Sequence, residues 1–286
     1  MTTLRSFFEK NGHRLWEGKH LGNCNFMITR LENYSDFSTR SLNEIKATDI
    51  YDFMDHLTDQ GLTDSTINRY LACFSVFFSL AVEHEVIVAA PKVRWKKSKP
   101  SRPRFFTEDE LTALVAFLSK SKNPWMVDFV ALGVNTGMRL GEILSINDDR
   151  PKKTVGIVSP CGDFITLKHT KNGDERIVPL NEPAKQALKN LDMKPSGPYT
   201  HRRFYDTWND ARDELARNDE HYVFHVLRHT CATRLAMEFN VDSITLGRIL
   251  GHRSPQTTAK YVHTQPASLK AIMSKLDSKL PASMAV

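Results

Sequence analysis

The stretch Lys92 to Arg104 (KVRWKKSKPSRPR) constrains this chain more than any other. It carries seven basic side chains, no acidic one and two prolines. Unpaired charges cannot enter a core without a large desolvation cost, and Pro100 and Pro103 break any helix that would carry them. The chain is therefore expected to fold as two bodies, a helical domain over 1–91 and a second domain over 105–286, joined by a basic linker over 92–104. A length of 286 residues suits two cores. The net charge of +6 is contained in this one stretch, which leaves the remainder close to neutral. A basic run of this kind is a solvated linker or, placed between two domains, a strap held against the phosphates of a nucleic acid.

With 41% apolar and 25% charged residues, the chain has the make-up of a folded globular protein. The sequence offers no evident apolar run of the roughly 18 to 20 residues that a spanning helix needs. The N-terminus, MTTLRSFFEKNGHRLW, lacks the pattern of a secretion signal, so a cytosolic protein without a membrane partner is expected. Cys24, Cys73, Cys161 and Cys231 are scattered, without a CxxC pair, and are expected to be reduced. His225 and His229 have i, i+4 spacing, but Val226 stands where a metalloprotease helix needs Glu, so neither a metal nor another cofactor is expected.

Before the linker, Ile67, Tyr70, Leu71, Phe74, Phe77, Phe78, Ala81 and Val82 form an apolar stripe at helical spacing, predicting a helix from Asp64 to about His84. A preceding helix is expected to start at Thr48 as N-cap and to stop at Gly61. Further helices are expected over 4–10 and 21–34, and Ala89-Ala90-Pro91 is expected to end the long one. After the linker, Thr107 and Glu110 predict a capping box. Helical patterns over 108–119, 124–135 and 140–146 give way to three strand-like runs, 154–158, 164–168 and 176–180. Asn172-Gly173 is the hairpin signal between the last two. Helical patterns then resume. The expected fold is mainly α with a small antiparallel β-sheet in the second domain.

Three segments hold polar residues that packing alone does not explain. In NTGMRLGEIL, Arg139 opens a helix, where a cation opposes the dipole unless an anion binds there, and Glu142 at i+3 is placed to hold it. In HVLRHTCATRLA, His225 and Arg228 are expected on one helix face, with Leu227, Cys231 and Leu235 packing on the other. In LGHRSPQTTAKYVH, His252 follows a Gly251 turn and Tyr261 is a possible nucleophile.

In this order, with TKNGDERIVPL between the first and second, the segments resemble the catalytic signature of the tyrosine recombinases, the class that includes phage integrases and Xer and Cre resolvases. The residues from Leu42 to Ile87 resemble the helical core-binding domain that precedes it. The resemblance implies a mixed α+β catalytic domain and a DNA-cutting enzyme, integrating or excising a mobile element, that works through a covalent 3′-phosphotyrosine on Tyr261. Arg139 and Arg228 would clamp the scissile phosphate, His225 would take the tyrosine proton, Lys171 would return one to the leaving oxygen, and His252 would hydrogen-bond the phosphate. Glu142 and His229 would support them. Lys168, three residues before Lys171, is the alternative lysine.

The implied partners are double-stranded DNA, a homotetramer on paired sites and accessory bending or directionality factors. DNA contacts are expected from Lys92, Arg94, Lys96, Lys97, Lys99, Arg102 and Arg104, and from Thr66 and Arg69 on the long helix. A clamp with the two domains on opposite DNA faces is implied, in a short form without an arm-binding domain. Ser268, Leu269, Ile272, Met273, Leu276 and Leu280 predict a tail helix that packs on its own domain or docks into a neighbour. A type IB topoisomerase and an idle DNA-binding regulator are the competing readings.

Overall fold

The computed structural model describes residues 2–97, 104–150, 154–170, 175–217, 219–259 and 261. The chain divides into two compact units, Met1–Ser101 and Arg102–Val286. The expected tail helix, the Asn172-Gly173 turn, Lys171, Lys99 and Arg102 lie outside the described residues.

The first unit packs α1 (Leu4–Leu15), α2 (Gly18–Glu32), α3 (Ala47–Asp59) and α4 (Asp64–Glu83) around one core. Every residue of the predicted α4 stripe is buried except the half-buried Val82. Phe7 of α1 meets Phe77 edge-on, with centroids 5.4 Å apart, the arrangement that aromatic quadrupoles favour. α4 is 20 residues long and, contrary to the sequence expectation, apolar enough to cross a bilayer by composition. Its apolar side chains are instead spent on the core.

Boundaries differ from expectation for local reasons. α1 runs on to Leu15, and α2 begins at Gly18. α3 starts before Thr48, because Asp49 accepts the backbone N–H of Lys46 and makes that residue the cap. α4 ends at Glu83, before Ala89-Ala90-Pro91, with Glu85 turning the chain away at φ 58°.

The stretch after α4 is not a free linker over its described part. Asn68 pairs with the main chain of Lys96 as a neighbouring strand would, accepting its N–H at 2.9 Å and donating to its carbonyl at 2.8 Å. The N–H of Arg94 donates to the Tyr51 hydroxyl at 3.0 Å. Residues 92–97 thus belong to the first unit.

The second unit opens with the predicted capping box of Thr107 and Glu110 on α5 (Glu108–Lys120). α6 (Met126–Thr136) and the single-turn α7 (Leu140–Ile143) lead into an antiparallel sheet of β1 (Val155–Val158), β2 (Phe164–Lys168) and β3 (Arg176–Pro179) in that order. Ile165 faces Val178 across strands, and both are buried with Leu167 on the core side. α8 (Glu182–Asn190), α9 (His201–Ala216), α10 (His225–Met237), α11 (Ser243–Leu250) and α12 (Pro255–Ala259) complete the unit. α10 packs on α6, with Leu227 against Gly133, where a Cβ would come within 3.0 Å.

Candidate active site

The site is assembled from the ends of helices. α6 stops at Gly137, whose φ of +62° only glycine adopts without strain. That turn puts Arg139 at the cap of α7 and directs the Gly137 carbonyl at α10. Glu142, 3% exposed, accepts the Arg139 backbone N–H at 2.8 Å through Oε2 and its Nη1 at 2.7 Å through Oε1. The expected i+3 partnership is therefore present. It also closes the arginine's own cap on the single-turn α7.

Arg228, on the helix face it shares with the exposed His225, is itself 2% exposed, and Leu227 and Cys231 on the opposite face are buried too. Its guanidinium donates to the carbonyl of Gly137 at 2.7 Å and to that of Leu250 at 2.6 Å. Burial, together with the Arg139 and Arg176 charges, pushes its pKa down to about 9, which leaves it charged at neutral pH.

α11 ends at Gly251, φ +67°, and the chain turns to His252, whose Nδ1 lies 2.9 Å from Thr258 Oγ1. Tyr261 is 3% exposed, packed with Ala232, Leu246 and Leu250. Its hydroxyl meets Nδ1 of His229, one turn after His225. The rings of His225 and His229 stand edge-on at 4.9 Å, and those of His252 and Tyr261 lie nearly parallel at 6.4 Å. Burial pushes the tyrosine up to about 12, opposed by the charge of Arg228.

Arg139, Glu142, Arg228, His225, His229, His252 and Tyr261 thus fall within one region of the second unit, beside a cleft of about 670 Å³ that Arg139, Glu142 and His252 help to line. Lys168 lies on β2 opposite Val155. Burial pushes the Cys231 thiol up to about 11, away from reactivity. Among the described residues, no three His, Cys, Asp or Glu side chains gather as a metal site.

One residue in this region was missed by sequence reasoning. Arg176 of β3 lines the same cleft and donates Nη2 to Glu142 Oε2 at 2.8 Å. Its signal was parity: it shares the inward side of the strand with Val178, where a charge is costly.

Of the expected DNA contacts, Lys92, Arg94, Lys97 and Arg69 are exposed, and Lys96 and Thr66 are half-buried. Lys96 Nζ donates to Thr58 at 2.6 Å. Arg104 is engaged within the second unit, paired with Glu110 at 2.7 Å and Asp219 at 2.9 Å and lying over Phe106 and Tyr222.

Comparison with known proteins bears on the whole chain. Residues 104–268 match the Phage integrase family, and residues 3–97 match the Phage integrase SAM-like domain. The shufflon-specific DNA recombinase of Escherichia coli is 29% identical over 253 residues, 84% of this chain and 62% of that protein. The integrase of Escherichia phage P2 is 28% identical over 75% of this chain and 60% of its own length. The chain thus spans about three fifths of these two relatives. The fold resembles that of the Tn1549 transposon integrase, solved with a circular intermediate DNA. The TM-score is 0.74 at 18% identity, covering 96% of this chain and 100% of that one. With more than half of its residues matched by the catalytic family and most of the rest by the accompanying domain, this chain belongs to the phage integrase family of tyrosine recombinases.

Proposed function

We propose that this protein is a site-specific DNA recombinase that cuts and rejoins strands through a 3′-phosphotyrosyl intermediate on Tyr261, integrating or excising a mobile element. The observation that carries the reading is the gathering of a tyrosine, three imidazoles and two arginines, one of them buried, at one place in the second unit. Two guanidiniums offer paired N–H donors to the nonbridging oxygens of a phosphodiester, where charge grows as the fifth bond forms.

In the reaction, Tyr261 Oη bonds to phosphorus and the bond from phosphorus to the 5′ oxygen breaks. The phenolic proton goes to His225, and Lys171 supplies one to the departing 5′ oxygen. A second 5′ hydroxyl then reverses these steps on a different strand, without ATP, because the phosphotyrosine retains the energy of the broken ester. His252 hydrogen-bonds the phosphate. Since Tyr261 is almost fully buried against His229, its hydroxyl must leave this position to reach phosphorus. His229 stores the nucleophile, and the exposed His225 receives its proton. The partner is double-stranded DNA, contacted through the exposed charges of residues 92–97. The working assembly is a homotetramer on paired sites, with accessory factors setting direction.

Tyr261→Phe tests the reading. A duplex captured from a randomised pool by covalent attachment to the unaltered protein should still bind the variant but form no denaturant-resistant complex. A covalent complex with the variant would falsify the assignment. Relaxation of supercoiled DNA regardless of sequence would favour a topoisomerase instead.

A further inference from the structure

Arg176 has no part in the chemistry above, yet it shares an acceptor with each of the two arginines. Its Nη2 donates to Glu142 Oε2, the carboxylate that holds Arg139, and its Nη1 donates to the Leu250 carbonyl, which also accepts Arg228. We propose, building on the recombinase reading, that Arg176 is a positioning residue that keeps Arg139 set for the scissile phosphate.

Three observations support it. The first concerns the Glu142 carboxylate. Oε2 accepts both the Arg139 backbone N–H and Arg176 Nη2, and the Arg139 side chain reaches the carboxylate through Nη1 and Oε1 alone. Among the described residues its other guanidinium N–H groups have no hydrogen bond, and they remain for a phosphate. Without Arg176, Arg139 can close on Glu142 as a fork-on-fork pair, the favoured arrangement of the two groups, and be withdrawn from the anion. One carboxylate is now shared between two arginines, which leaves this trio with a surplus positive charge where phosphate charge would develop.

The second is that space has been left for it. A Cβ on Gly251 would lie 2.6 Å from Nη1 of Arg176 and 2.9 Å from its Cδ, so a side chain at the turn that leads to His252 would have to displace this guanidinium.

The third is that the placement is a poor stabiliser. The side chain is 8% exposed, and its buried Nε has no acceptor among the described residues. Replacing such a buried charge by an apolar residue of similar volume is often neutral or stabilising. What the guanidinium provides is a rigid bridge between two acceptors on different elements.

The test is a two-by-two comparison of Arg176→Met and Arg139→Lys, using the duplex recovered by covalent capture on the unaltered protein. Arg176→Met should slow single-turnover cleavage by roughly tenfold to a hundredfold, while duplex affinity and melting temperature stay near those of the unaltered protein. In the Arg139→Lys background it should add no more than about threefold, because it acts through the residue already changed. Cleavage at the unaltered rate, or a loss that multiplies in full with that of Arg139→Lys, overturns the proposal. If the Met variant does not fold, Arg176→Lys takes its place with the same expectation, since an ammonium cannot span both acceptors. Failure of the unaltered protein to capture any duplex would instead overturn the recombinase reading itself.

Discussion

His229 and Tyr261 share a hydrogen bond between Nδ1 and the phenolic hydroxyl, with ring centroids 5.6 Å apart. The sequence motif points to His225 as the tyrosine's proton acceptor, yet the histidine four residues later meets its hydroxyl. The two roles separate experimentally. His225→Ala should slow cleavage by roughly a hundredfold or more, the usual contribution of a general base. His229→Ala should change the rate by less than about tenfold. Single-turnover cleavage of a captured duplex measures both, and the reverse order would make His229 the base.

Arg228→Lys should cost at least about a hundredfold in cleavage, comparable to losing a transition-state donor. It should also lower the melting temperature, because a buried ammonium cannot satisfy the Gly137 and Leu250 carbonyls in the planar geometry observed. Arg139→Lys, at a quarter-exposed site, should lose rate with little change in melting. Equal thermal effects of the two changes would contradict the buried anchoring of Arg228.

For the general acid, Lys171→Ala should cripple cleavage and Lys168→Ala should leave it within about threefold, since Lys168 is held in β2 opposite Val155. A substrate whose leaving 5′ oxygen is replaced by sulfur, a better leaving group that needs no proton, should rescue Lys171→Ala. Rescue of the Lys168 variant alone would move the acid by three residues.

Charge reversal at Lys92, Arg94 and Lys97 should weaken binding to all duplexes alike. It should also reduce the salt dependence by about 0.9 in log–log slope for each phosphate that is no longer neutralised. Reversal at Lys96, whose ammonium is tied to Thr58, should do less. Titrations at several salt concentrations check this; weakening confined to the captured site would contradict it.

Tyr261 ionises with difficulty in the folded protein. Its pKa rises from 10.0 to about 12 on burial, so its contribution to stability is complete below pH 10 and is lost as pH rises through 12. Over that window the unaltered protein should lose up to about 2–3 kcal/mol relative to Tyr261→Phe. Denaturant titrations of the pair across alkaline pH measure it. The comparison cancels Tyr222, which burial also raises to about 12. Parallel curves for the two proteins would mean that the hydroxyl is open to water.

Much of the architecture was legible because it rests on periodicity. The α4 stripe, the strand alternation and the Thr107 capping box all report local geometry that repeats along the chain. The site residues were legible as a motif, but their surroundings were not. Arg228 was expected beside His225 on the face opposite the packing residues, and nothing in the motif marks it as 2% exposed. Its burial depends on carbonyls from Gly137 and Leu250, and any residue type supplies a carbonyl. Arg176 went unnoticed because its partners, Glu142 and Leu250, are distant in sequence. The start of α3 was misplaced because Asp49 caps from inside the helix, which a search for a leading Thr overlooks.

The main-chain anchoring of Arg228 also affects how mutational tolerance will look. A carbonyl cannot be deleted by substitution, but its direction can be spoiled where the chain turns. At Gly137 a Cβ would come within 2.7 Å of Leu250, and at Gly251 it would strike Arg176. A saturation screen scored on recombination should therefore rank two residues that have no side chain beside Tyr261 itself. Read without the structure, those scores would suggest reactive groups where there are only hinges of the backbone.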